Sequence, residues 1–93
     1  MSYEVVGDPD EIQGFSDHLS EYCRSTLDSL LTIKGRLVEM ESNQTWADSR
    51  YHAYRNDFEE VSGRIESSLR HIEAEHVPHL RSLVERLRAY HEG

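Results

Sequence analysis

Ninety-three residues with a formal net charge of -8 set the first limits. Most of such a surface repels a phosphate backbone or an anionic lipid headgroup, so charge argues against nucleic acid and membrane as partners. Hydrophobic residues make up 37% and charged residues 30%, and the apolar ones recur at helical spacing, which separates the chain from a disordered one.

The length fits one small domain, 1–93. No apolar run approaches the roughly 18 residues that cross a bilayer. Met1–Val6 lacks a basic segment followed by an apolar core, so it does not read as a signal peptide. A protein of this kind is expected in the cytoplasm, and if it is secreted, by a route that needs no such signal. Cys23 is the single cysteine and has no intrachain partner. It reads as a small packing residue on a helix.

Residues 1–8 are expected to be extended, because Tyr3, Val5 and Val6 favour strands and Gly7 is a breaker. A helix start follows. Asp8 can cap, Pro9 suits the first helical position, and Asp10 and Glu11 complement the positive helix end. Ile12, Phe15, Leu19, Tyr22, Leu30, Ile33, Leu37 and Met40 then fall at steps of three and four, with Thr26 and Leu27 sharing the middle. This spacing predicts one long helix over 9–41 with a single buried stripe.

Ser42-Asn43-Gln44-Thr45 is a polar break and is read as the turn, with Trp46, the lone tryptophan, at its tip. Thr45 and Asp48 have the spacing of a capping box, which predicts that the second helix starts at Trp46. Its stripe is Tyr54, Phe58, Val61, Ile65, Leu69, Ile72, His76, Leu80, Leu83, Leu87 and Tyr90. Pro78 lies inside this run. Proline kinks or ends a helix; the stripe keeps phase across it, which favours a kink over an end at Val77, so the second helix is expected over 46–91, kinked or broken at Pro78. With a bend near residues 43–44, residues 79–91 are expected to overhang the first helix.

The fold class is therefore all-α, an antiparallel helix-turn-helix hairpin. Two helices alone cannot cover both stripes, because Leu27, Leu31 and Val38, with Tyr51, Val77 and Val84, widen each apolar arc. A chain this small has little core of its own. A second, similar hairpin, the same chain or a different one, would complete a four-helix bundle as a dimer. The residues expected at this core and interface are Phe15, Leu19, Tyr22, Leu30, Ile33, Leu37, Tyr54, Phe58, Val61, Ile65, Leu69 and Ile72.

No phosphate loop, nucleophile elbow or His-Glu-x-x-His motif is present, so no catalytic role is assigned. Glu73 and His76 have the Glu-x-x-His spacing of half a di-iron site, but the first helix offers no second such pair. A bend near 43–44 places Glu11 opposite His76, which would leave Glu11, His76 and His79 as a cluster short of ligands; no metal and no cofactor is expected. Histidine changes charge near neutral pH, so the closely spaced His71, His76 and His79 also suit a pH-sensitive interface.

Trp46 at the mid-chain bend, Ser49, Ala53, Tyr54 and Phe58 after it, and the two long helices resemble the WXG family, early-secreted-antigen-like proteins exported by type VII secretion systems. The resemblance covers about residues 9–77. It implies a helical hairpin that pairs into a four-helix bundle and serves as a substrate, co-substrate or adaptor of the secretion machine. The tryptophan turn (Trp46, Asp48, Thr45) and the C-terminal residues would then be surfaces for a secretion ATPase. The pattern departs from the family at two points. The triplet is Trp46-Ala47-Asp48 in place of Trp-x-Gly, and no tyrosine is followed four residues later by an acid, the spacing of the family's export signal. Either a partner carries that signal, or the chain is a cytoplasmic chaperone-like partner that covers helices of a larger toxin and is not itself exported.

Overall fold

The computed structural model describes residues 7–92. The strand-favouring residues Tyr3, Val5 and Val6 lie outside the described residues. Helix α1 spans Pro9–Ser42 and helix α2 spans Ser49–His71. A π-helical turn, Ile72–His76, leads without interruption into helix α3, Val77–Glu92. Among the described residues there is no strand. The principal extents are 65 × 24 × 15 Å. Since one helix with its side chains is about 10–12 Å across, the hairpin is a single layer of two rods side by side.

Asp8 opens α1, its carboxylate accepting from the amides of Asp10 and Glu11. The far end closes differently from the expected capping box. The amide of Thr45 donates to Met40 O at 2.9 Å and that of Gln44 to Glu41 O at 3.1 Å. This is the paired bonding of a Schellman stop, and it requires Gln44 to turn left-handed, at φ 58°. Thr45 is consumed in that stop, its hydroxyl donating to Met40 O at 3.2 Å. Asp48 alone caps α2, so α2 starts at Ser49 rather than at Trp46. Glutamine strains at a positive φ where glycine does not. Gln44→Gly is therefore expected to stabilise the hairpin by about 0.5–1 kcal/mol, read as a shift in urea midpoint at unchanged slope.

The seam between the rods is the main departure from the apolar-stripe expectation. On α1 the buried residues are Ser16, Ser20, Cys23, Leu30 and Leu37; across from them lie Tyr51, Ser62, Leu69, Val77 and Val84. Of the residues expected at the core or interface, Leu30, Leu37 and Leu69 are buried in this seam. Phe15, Tyr22, Ile33, Tyr54, Val61 and Ile65 are not in the seam and remain exposed, while Leu19, Phe58 and Ile72 are half-buried. Small side chains at positions 16, 20, 23 and 62 let the helix backbones approach closely. That approach brings long polar side chains within reach of each other along one flank. Tyr51, Val77 and Val84, expected to widen the arcs, are the largest of the fully buried apolar side chains.

Cross-helix ion pairs mark the register: Arg55–Glu41 at 3.0 Å, Lys34–Glu66 at 3.7 Å, Arg24–Glu73 at 3.2 Å and Arg88–Asp10 at 3.3 Å. The last of these corrects the expected overhang. The six residues of turn between Ser42 and Ser49 displace the second rod, so α3 packs along the start of α1, with Val84 buried and Leu87 beside Gly7. Pro78 does not break the rod. It is the second residue of α3, and the preceding π turn, closed by Val77 N–H to Ile72 O, absorbs the phase change. At the start of a helical segment the missing proline N–H is least costly.

The Glu66 carboxyl is held below its ordinary pKa, first by the hydrogen bond from Arg70 and, against the opposing effect of burial, by the charge of Lys34. A depressed folded-state pKa means the stabilisation is present above the unfolded-state value and is lost as pH falls through the folded one. Glu66→Gln is accordingly expected to flatten part of the loss of stability on acidification, measured by melting the two proteins across the carboxylate range.

Candidate protein-interaction face and tryptophan turn

The two flanks of the seam differ in chemistry. On one, Arg24, Arg70 and Glu73 flank a shallow groove with Cys23, Leu27 and Leu69. Arg55, Glu59, Glu41, Lys34, Glu66 and Arg70 extend the charged line through ion pairs. On the other flank Phe15 and Leu19 of α1 share a groove with Ile72, His76, His79 and Leu80. Helical spacing carries that apolar side onward through Tyr22, Thr26, Ile33 and Met40 on α1, and through Ile65, Val61, Phe58 and Tyr54 on α2. Phe15, Tyr22, Ile33, Tyr54, Val61 and Ile65 are between 43% and 59% exposed. Single exposed apolar residues are ordinary; a continuous face of them along both rods of a hairpin is a candidate interaction surface. Leu31 and Val38 add a smaller exposed apolar strip elsewhere on α1.

The tryptophan turn closes one end of this face. Asp48 Oδ1 accepts from Tyr51 N at 2.9 Å and from Trp46 Nε1 at 3.1 Å. One carboxylate oxygen thus caps α2 and orients the indole. The indole is half-buried, with Tyr51 edge-on at 5.3 Å between ring centroids and Tyr54 tilted at 5.8 Å. Tyr54 stacks on Phe58 at 6.1 Å. Trp46 therefore begins an aromatic row that runs down the apolar face. Asp48→Ala is expected to cost about 0.5–2 kcal/mol for the lost cap and to free the indole, seen as a change in tryptophan emission beside a lowered denaturation midpoint.

Beneath the indole lies a residue that a stripe reading does not single out. Tyr51 is fully buried, and its hydroxyl donates to Leu37 O at 2.8 Å. Arg55 stands 3.4 Å from the same hydroxyl and pairs with Glu41 and Glu59; the hydrogen bond to Glu59, and then the one to Tyr51, raise its already high pKa. The signal for this seam was a seven-residue repeat: Ser16, Cys23, Leu30, Leu37 on one rod and Ser62, Leu69 on the other.

At the opposite end Ser20 Oγ donates to Glu73 Oε1 at 2.7 Å, and Arg24 Nε donates to the same oxygen at 3.2 Å. Burial and then the nearby Glu73 carboxylate push the Cys23 thiol above its ordinary pKa, which keeps it protonated and a poor nucleophile. The expected approach of Glu11 to His76 and His79 does not occur. His76 and His79 lie against Phe15 and Leu19, more than a turn further along α1, while Arg88 reaches Asp10. Among the described residues no group of three or more His, Cys, Asp or Glu side chains is arranged to hold a metal ion. No helix among them is long and apolar enough to cross a membrane.

Scans against protein-family models, curated proteins and solved structures returned no match to this chain.

Proposed function

We propose that the chain is a protein-interaction module whose apolar face pairs with a second helical hairpin to form a four-helix bundle. One observation carries this reading: six large apolar side chains on one side of a single-layer hairpin are between 43% and 59% exposed, while Ser16, Ser20, Cys23 and Ser62 take up seam positions between the rods. A second hairpin laid on that side supplies the layer a two-helix rod lacks. With no other hairpin present, copies of this chain cover one another.

The same reading extends to a role. Trp46 at the bend, with Ser49, Ala53, Tyr54 and Phe58 following, resembles the WXG pattern, and the half-buried indole leaves an edge for a further contact. The chain is then a substrate, co-substrate or adaptor of a type VII secretion machine, with the secretion ATPase as a further partner. The deciding experiment expresses a tagged chain in a host with and without that ATPase. Appearance in the culture medium only when the ATPase is present supports the role. Retention inside the cell in both hosts, together with co-purification of a larger toxin, replaces it with the chaperone-like role.

A further inference from the structure

His71 and His76 are five positions apart. In a regular α-helix that spacing puts two side chains about 140° apart around the axis, on different faces. Here the π turn Ile72–His76 intervenes, and its i to i+5 bonding sets the sixth residue above the first. The two imidazoles are thereby brought to 5.6 Å between ring centroids, with an interplanar angle of 71°. Two imidazoles sharing a zinc ion, each with a Zn–N bond of about 2.0–2.1 Å, have ring centres roughly 5–6 Å apart at tetrahedral geometry. Both histidines are exposed, so an ion reaches them without any opening of the fold.

We propose that the π turn is a two-histidine chelate for a divalent transition-metal ion, with His71 and His76 as ligands and water in the remaining positions. Imidazole pairs favour zinc, nickel and above all copper(II) over calcium or magnesium, which take oxygen ligands. Because His76 also lines the groove with Phe15 and Leu19, the ion would sit at the border of the apolar face. The site does not depend on that face being paired.

The test titrates the full chain with zinc chloride, and in parallel with copper(II) chloride, by calorimetry at neutral pH. One saturable site per chain is expected, lost in His71→Gln and equally in His76→Gln, and kept in His18→Gln and His79→Gln. Circular dichroism of each variant checks that the helices remain. Copper(II) should broaden the imidazole resonances of His71 and His76 before those of His18, His52 and His91. Heat no larger than that of a buffer blank would overturn the proposal. So would binding that survives either substitution, or binding lost in His79→Gln.

Discussion

Tyr51→Ala is expected to be the most destabilising single substitution in the hairpin, at about 3–5 kcal/mol. The ring is wholly shielded from solvent and is the largest fully buried side chain. It packs in the seam next to the turn, holds the edge-on contact with Trp46, and ties α2 to α1 through the bond to Leu37 O. Its removal opens a cavity that a two-rod layer cannot close without losing register. Tyr51→Phe separates the ring from its hydroxyl and is expected to cost about 1 kcal/mol. Urea denaturation followed at 222 nm and by tryptophan emission reads both, and similar losses for Ala and Phe would show that the hydroxyl, not the ring, matters.

The second large effect concerns the exposed face rather than the seam. Replacing Ile33 and Val61 by Asp puts two charges into a surface that pairing would desolvate. Each truncated anchor at the centre of an interface costs about 2 kcal/mol or more. The pair of substitutions, at about 4 kcal/mol together, is expected to weaken pairing by nearly a thousandfold, since about 1.4 kcal/mol is a tenfold change. Neither side chain is in the seam, so the hairpin itself should keep its helical signal at low temperature. Ser67→Asp, at an exposed position outside both the seam and the apolar stripe, is the control and should pair as the parent does. Sedimentation velocity across a dilution series measures all three.

The all-helical hairpin was legible in the sequence because two signals agreed: apolar steps of three and four, and a polar break beside the only tryptophan. Which side of each helix faces the other was not. A stripe reading assigns the largest apolar side chains to the nearest partner. The hairpin instead uses Ser16, Ser20, Cys23 and Ser62 for close approach and leaves Phe15, Tyr22, Ile33 and Val61 turned outward. Serine counts as polar in such a reading, although a serine between two close helices behaves chiefly as a small residue. Its buried hydroxyl can bond within the layer, as Ser20 does to Glu73 and Ser62 does to the carbonyl of Glu59.

The turn was misread for a related reason. Thr45 and Asp48 fit a capping box by spacing alone, but a Schellman stop at Gln44 takes Thr45 for the preceding helix. Those added turn residues also shifted the register, which placed α3 along α1 and separated Glu11 from His76. The π turn is the least legible element. Pro78 signals a disturbance in the rod, yet nothing in the residues Ile72–His76 specifies that it takes the form of a single widened turn before the proline. The meeting of His71 with His76 follows from that turn alone.

The most direct measurement of the pairing claim is the mass of the purified chain by light scattering at tens of micromolar, repeated for the Ile33, Val61 double substitution. One chain weighs 10.9 kDa. The expected result is a species of about twice that mass for the parent and a single chain for the variant. A parent that stays at the mass of one chain throughout, indistinguishable from the variant, would contradict the claim that its apolar face is built to be covered.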